Sequence, residues 1–277
     1  MLNKISAAIC QFKVGENKEK NLIKAGEMMR QAAELGAELV VLPEIFNGPY
    51  DSRLFPAFAE RFPGKTTEYL MQFARQNRVF LVGGSIAEKG PDGKIYNTCY
   101  IFDQSGQLVG RHRKIHLFDI DIPDKIRFQE SKTLSPGSSM TIVQHNNVSL
   151  GVMICYDVRF PELARAMALN GAHILVIPAA FNTVTGPAHW EITMRSRAVD
   201  NQVFVIAASP ARNPEVSYQA WGHSMIVDPW GTILNEAAAG EEIVMAELDL
   251  SLVAKVREEL PLLSHRRTDL YQWEFKK

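Results

Sequence analysis

Apolar and polar positions change period along the chain, and each change marks an element. Residues 4–12 are mostly apolar and predict a strand, with Gly15 beyond it. Over 18–35 the positions Leu22, Ala25, Met29, Ala32 and Ala33 fall on one stripe, which predicts an amphipathic helix closed by Gly36. Residues 38–42 form a short apolar-centred strand that stops at Pro43-Glu44. Strand, helix and strand with short joins make a βαβ unit. A second helix is predicted over 65–77 and a strand over 79–86. Gly90-Pro91-Asp92-Gly93 is a turn, followed by a strand over 96–103 and a hairpin through 104–107 into 108–114. Strands over 140–145 and 148–154 join at Asn146-Asn147. A helix after Cys155, a buried strand at 173–177, a helix at 187–200 and a strand at 203–208 continue the alternation. Strands over 221–227 and 243–248, with a turn at Pro229-Trp230-Gly231, precede a helix from Ser251 to about residue 260 and a polar tail.

Helices alternate with strands early and late, while hairpins fill the middle. That mixture predicts a layered α/β fold with mixed sheets rather than an all-parallel barrel. Two sheets packed face to face with helices outside accommodate it. Turns are short, and neither repeat nor linker interrupts them, so one domain over 1–277 is expected. Residues from about 260 to 277 form a C-terminal tail available to a subunit interface.

Composition narrows the class. Of 277 residues, 46% are hydrophobic and 22% charged, as in ordinary globules. A formal net charge of -1 gives no field to recruit nucleic acid or an anionic membrane. No apolar run approaches the roughly 18 residues of a membrane span. Cys10, Cys99 and Cys155 all fall in apolar, strand-like segments, which suits free thiols in a reducing compartment. The chain enters its first strand without a charged-then-apolar leader, so a cytoplasmic location is expected.

One thiol has a distinctive setting. The apolar run 148–154 stops at Cys155, and Pro161 follows in what reads as the first turn of a helix. Cys155 therefore lies at a strand-to-helix turn, a geometry that exposes a nucleophile beside free backbone N–H groups, with a helix dipole favouring the thiolate. The alternative is a small buried cysteine filling a core gap. Glu44 ends an apolar strand and precedes Ile45-Phe46, so desolvation would raise its pKa toward that of a useful base; otherwise it is a strand-end carboxylate in solvent. Lys114 closes a strand whose period puts His112, Lys114 and His116 on one face. It could hold an oxyanion, guard an exposed edge, or belong to a phosphate patch, although no glycine-rich cradle accompanies it. Glu130 could orient either group or be a loop carboxylate. Histidines at 116, 173, 189 and 223 are available for a Cys–His pair, but none carries a local signature, and no Cys/His pair has zinc spacing.

Together, Leu42-Pro43-Glu44, Arg113-Lys114-Ile115-His116-Leu117 and the stretch Ile154-Cys155-Tyr156-Asp157-Val158-Arg159-Phe160-Pro161-Glu162 resemble the three motif regions of the nitrilase (carbon–nitrogen hydrolase) superfamily, in its order and spacing. The resemblance covers essentially the whole chain. It implies a four-layer α-β-β-α sandwich, assembled as a homodimer or larger. It implies Cys155 as nucleophile, Glu44 as general base, Lys114 as stabiliser of the tetrahedral intermediate, Glu130 as an assisting carboxylate and the Tyr156 N–H as oxyanion donor. No metal or organic cofactor is implied. His116-Leu117-Phe118-Asp119-Ile120-Asp121, Phe128-Gln129-Glu130-Ser131, Thr185-Gly186-Pro187-Ala188-His189-Trp190 and Trp221-Gly222-His223-Ser224 resemble the ω-amidase branch. That branch hydrolyses α-ketoglutaramate or α-ketosuccinamate to the dicarboxylic keto acid and ammonia. Neighbouring branches that take N-carbamoyl amino acids or other small amides share most of these segments, and a non-catalytic scaffold would keep the fold.

A substrate with a far carboxylate needs a cation. Arg159 is placed against the helix dipole and could clamp it, or could pair with Asp157 or Glu162. Tyr50 and Phe118 are candidate pocket walls, and His189 and Trp190 candidates for the mouth. Arg195, Arg197 and Asp200 read as a structural ion-pair set.

Overall fold

The computed structural model describes residues 4–145 and 148–271. Its strands are β1 (Lys4–Gln11), β2 (Leu39–Val41), β3 (Phe80–Val82), β4 (Ile86–Lys89), β5 (Ile95–Phe102), β6 (Leu108–Arg113), β7 (Asp119–Ile122), β8 (Ile126–Gln129), β9 (Thr141–His145), β10 (Val148–Val152), β11 (Ile174–Pro178), β12 (Phe204–Ala208), β13 (Met225–Val227), β14 (Ile233–Glu236) and β15 (Glu242–Asp249). Its helices are α1 (Lys18–Glu34), α2 (Phe55–Phe58), α3 (Lys65–Asn77), α4 (Pro161–Leu169), α5 (Gly186–Asn201) and α6 (Ser251–Glu259).

Two mixed sheets result. One runs β15-β1-β2-β3-β5-β4, with β6 on the far edge of β5; the other runs β14-β13-β12-β11-β10-β9. The alternation of β1 shows the layering. Ala7 and Ile9 pack with residues of β10, β11 and β12, while Ala8 and Cys10 pack with Leu22, Ala25 and Met29 of α1 and Leu70 and Phe73 of α3. Residues two apart on a strand share a face, so one sheet serves two cores. On the other side of the second sheet, Leu163 and Met167 of α4 and Trp190 and Met194 of α5 close the apolar layer. The order is helices, sheet, sheet, helices, as expected.

The helix predicted over 18–35 forms as α1 with Leu22, Ala25, Met29 and Ala32 of its stripe buried and Ala33 half-buried, and Asn17 Oδ1 caps it by accepting from the Lys20 N–H at 3.0 Å. Other segments differ from expectation. The predicted strand 79–86 is broken by Gly83-Gly84-Ser85 into β3 and β4. The hairpin β7–β8 and strand β14 are additions, and only Met225–Val227 of 221–227 is strand. The predicted turn at Asn146-Asn147 lies outside the described residues.

Candidate active site

The carboxyl ends of strands from both sheets converge, the usual location for chemistry in open α/β sheets. Glu44 follows β2, Lys114 follows β6, and Cys155 lies just beyond β10. Two glycines shape these ends. At Gly84, where φ is +59°, a Cβ would stand 2.2 Å from the Pro43 carbonyl oxygen. Only glycine lets the broken strand pass behind the segment that carries Glu44. At Gly137 a Cβ would stand 2.2 Å from the Arg113 carbonyl oxygen, and the Gly137 N–H donates to the Lys114 carbonyl at 2.8 Å.

Cys155 has φ +47°, an unusual value for a non-glycine residue and one that costs on the order of 1–3 kcal/mol. It opens a single 3₁₀ turn, Cys155–Arg159, and α4 begins only at Pro161. The proline sits at the start of the helix, as predicted, but the thiol does not cap it. The expected dipole support for a thiolate is absent. Burial instead pushes the Cys155 thiol well above its ordinary pKa, and the Glu44 charge adds to this, while Lys114 and the Ala180 backbone N–H pull the other way.

Glu44, Lys114 and Glu130 are all fully buried, which removes the readings of solvent carboxylate, exposed basic edge and loop carboxylate. Lys114 Nζ donates to Glu44 Oε1 and to Glu130 Oε1, each at 2.9 Å. Glu44 Oε1 also accepts from Asn97 Nδ2 at 2.8 Å, whereas its Oε2 has no hydrogen-bond partner among the described residues. Glu130 Oε2 accepts from the Phe118 N–H at 2.7 Å. Burial raises the Glu44 pKa; Lys114 opposes the rise and Glu130 reinforces it. Burial disfavours the ammonium of Lys114, but Glu130, Glu44 and Cys155 outweigh that and hold it charged, well above the ordinary lysine range. One cation thus serves two carboxylates beside a neutral thiol, and one carboxylate oxygen is left open to take a proton.

Aromatic rings roof the cluster. Tyr50 stands 4.5 Å from Tyr218 and 5.3 Å from Phe128, and Phe118 lies 5.2 Å from Tyr156. Tyr50 is also wired into the cluster, since its hydroxyl donates to Glu130 Oε1 at 2.8 Å. A cleft of about 430 Å³ opens outside these rings, between Tyr50, Arg53, Phe128 and Tyr218. Arg159 pairs with neither Asp157 nor Glu162. Its guanidinium lies 4.5 Å from the Phe181 ring and donates to His189 Nδ1 at 3.1 Å. Trp190 is core, donating from Nε1 to the His223 carbonyl at 2.6 Å. Of the predicted ion-pair set, Arg197 reaches Asp200 at 3.7 Å, but its Nε donates to the Val158 carbonyl at 2.8 Å and braces the Cys155 turn; Arg195 pairs with Glu191.

Tyr218, Asn97 and the Ala180 N–H are not legible in the sequence as site groups, and Phe128, although within a segment that carries the resemblance, has no role assigned there. Asn97 carried a signal, being a polar residue within the apolar strand of 95–102. Tyr218 carried none, for it sits in a loop without periodicity, just outside the segment that starts at Trp221. Among the described residues no group of three His, Cys, Asp or Glu side chains is arranged to hold a metal ion.

Fold and site together define a hydrolase of the acyl-transfer class, with thiol, ammonium and carboxylates at the strand ends of a sandwich. The chain belongs to the carbon–nitrogen hydrolase family, whose profile matches residues 6–258. It is 50% identical over 274 residues to the omega-amidase NIT2 of Xenopus tropicalis, covering 99% of each chain. It is 49% identical over 270 residues to the omega-amidase NIT2 of Homo sapiens, covering 98% of each. The crystal structure of Saccharomyces cerevisiae Nit3, a member of branch 10 of the nitrilase superfamily, superposes with a TM-score of 0.88 at 44% identity, over 95% of this chain and 97% of that one.

Proposed function

We propose that this protein is an ω-amidase that hydrolyses α-ketoglutaramate or α-ketosuccinamate to the dicarboxylic keto acid and ammonia. Two relatives of about 50% identity over nearly the full chain carry that name. The observation that carries the chemistry is the open, buried Oε2 of Glu44 beside a neutral thiol and a charged lysine.

Cys155 Sγ attacks the amide carbonyl carbon, and its proton passes to Glu44. The resulting oxyanion is held by Lys114, whose third N–H, beyond the two on Glu44 and Glu130, makes only a long 3.5 Å contact with the Tyr50 hydroxyl and turns to the oxyanion, and by the Tyr156 N–H. The C–N bond breaks, and Glu44 returns the proton to the leaving nitrogen, which departs as ammonia. A thioester remains on Cys155. Water enters, gives a proton to Glu44 and attacks the thioester. The tetrahedral intermediate collapses to the acid, and the thiol recovers its proton from Glu44. Glu130 keeps Lys114 charged and oriented. No metal or organic cofactor is needed.

Arg159 takes the far carboxylate. It is a cation held in place by Phe181 and His189 with no carboxylate paired to it among the described residues, and Phe181 adjoins Ala180, whose N–H acts on the Cys155 sulfur. Tyr50 and Phe118 wall the pocket. The chain works as one domain in a homodimer or larger, with exposed Ile192 and Val199 of α5 and Trp230 available for contact, in the cytoplasm. No helix among the described residues is long and apolar enough to cross a membrane.

The test is ammonia release from a panel of α-keto-acid amides, plain short amides, nitriles and N-carbamoyl amino acids. The two keto-acid amides are expected to give the highest kcat/KM. Carbon dioxide released with ammonia would move the assignment to a carbamoyl substrate.

A further inference from the structure

A carboxylate that the mechanism does not use lies directly under it. Asp157 is wholly buried, two residues after Cys155. Its Oδ2 accepts from the Ile154 N–H at 3.0 Å and lies 3.1 Å from His112 Nε2. Its Oδ1 accepts from the Ile115 N–H at 3.2 Å and the His116 N–H at 2.8 Å, and lies 2.8 Å from His116 Nδ1. The far nitrogen of His112, Nδ1, is 3.1 Å from Thr141 Oγ1, and the His116 ring stacks on Phe160 at 3.7 Å. Ile154 immediately precedes Cys155, and Ile115 and His116 immediately follow Lys114. One side chain therefore grips the backbone on the near side of the nucleophile and on the far side of the lysine, across two sheets.

The arrangement suits positioning rather than binding. Five donors saturate the carboxylate, no face is open to a ligand, and the backbone it fixes includes the residue with positive φ. A strained turn persists only where its surroundings over-determine it. An anion that accepts from the two flanking segments supplies that determination, because charge-assisted hydrogen bonds are short and strong.

We propose that Asp157, held by His112 and His116, is a positioning residue that sets the distance and angle between the Cys155 sulfur and the Lys114 ammonium, and so the rate of thioester formation. This rests on the reading of Cys155 and Lys114 as nucleophile and oxyanion holder. The two histidines, which perform no proton transfer in the mechanism, act here through Asp157.

Four variants test it: Asp157→Asn, His112→Leu, His112→Gln and, as a control on the underlying reading, Cys155→Ala. Initial rates with α-ketoglutaramate give kcat and KM per folded molecule, thermal unfolding gives Tm, and a rapid-quench acyl burst reports thioester formation. Misplacement of reacting groups by about an ångström can cost about 100-fold. Asp157→Asn is expected to lower kcat and the burst rate by that order, with KM within about threefold. His112→Leu is expected to lower kcat about tenfold. His112→Gln keeps a donor near the position of Nε2 and is expected to recover most of that loss. A purely structural role would lower Tm in Asp157→Asn and His112→Leu but leave kcat per folded molecule unchanged, and that result overturns the proposal. Equal kcat in His112→Leu and His112→Gln, both well below the parent, overturns it as well, and this pair decides the matter if Asp157→Asn does not fold. Full activity in Cys155→Ala would instead overturn the underlying reading.

Discussion

Arg113 and Lys114 are neighbours at the end of β6, yet they lead to opposite uses of a buried glutamate. Arg113 points to Glu88, which is 1% exposed. That carboxylate accepts two hydrogen bonds from Arg113, at 2.7 and 2.8 Å, one from Thr98 Oγ1 at 2.6 Å and a longer one from Arg111 at 3.3 Å. Burial alone would raise its pKa, but these hydrogen bonds and two positive charges hold it below the ordinary carboxylate value. The Arg113 guanidinium carbon also lies over the Tyr96 ring, 3.7 Å from its centroid. Lys114 points the other way, to two glutamates that must divide one charge, and there the Glu44 pKa rises. Two cations on one carboxylate give a finished ion pair. One cation between two carboxylates gives a group ready to accept a proton. Burial pushes both carboxylates up, and the balance of charge around each decides whether that push is offset, as at Glu88, or stands, as at Glu44.

The contrast can be broken by substitution, most strongly at the reactive cluster. Lys114→Ala is expected to lower kcat/KM about 100- to 1000-fold, the cost of one oxyanion donor, with the protein still folded by circular dichroism. Wild-type kinetics in that variant would remove Lys114 from the mechanism. Arg113→Met is expected to do the reverse: kcat changes little, while urea denaturation shows a loss of about 2 kcal/mol, for leaving Glu88 under-partnered. Because the folded pKa of Glu88 is depressed, that contribution is present above its ordinary value of 4.5 and disappears as pH falls through the folded value. The deficit of Arg113→Met should therefore shrink in acid. Arg159 shows a third balance, a cation with no carboxylate paired to it among the described residues. Arg159→Ala is expected to raise KM for α-ketoglutaramate about tenfold or more, the order of one charge-assisted contact, and to leave KM for a neutral short amide nearly unchanged. Equal effects on both substrates would end its role as a clamp.

The smallest effect is a shift in pH dependence. The Glu130 charge raises the Glu44 pKa, and removing it also leaves Lys114 to Glu44 alone. Both changes favour ionised Glu44. In Glu130→Gln the acidic limb of the kcat/KM profile is accordingly expected to move to lower pH, even as the rate falls. A shift to higher pH would contradict the assignment of that limb to Glu44.

The parts of this arrangement that sequence revealed are those written in a local pattern. The stripe of α1, the βαβ start and the strand before Cys155 each lie within one window of periodicity. Glu44, Lys114 and Cys155 stood out because each ends or follows an apolar strand within a motif. What escaped depends on residues brought together from afar. Tyr218 meets Tyr50 across 168 positions, and no local feature announces it. Asp157 stands within a motif, but the contacts behind its proposed role, to His112 and His116, span 45 and 41 positions. The break between β3 and β4 is not legible in the sequence because apolar content continues through Gly83-Gly84, and the requirement for glycine arises from the Pro43 carbonyl in the segment just beyond β2. The dipole argument for Cys155 failed for a local reason: a 3₁₀ turn intervenes before α4.

The neutral state of the Cys155 thiol has a consequence for survival as well as for turnover. Peroxide and other two-electron oxidants attack thiolates, and susceptibility follows thiolate character and exposure. Cys155 is 4% exposed, and burial holds its thiol pKa well above the ordinary value. In the proposed mechanism its reactivity is therefore summoned by the substrate rather than permanently displayed. The resting enzyme is expected to lose activity to hydrogen peroxide slowly at neutral pH and faster as pH rises, as followed by residual ammonia release. Cys10 and Cys99, buried and likewise raised in pKa, offer no second point of attack.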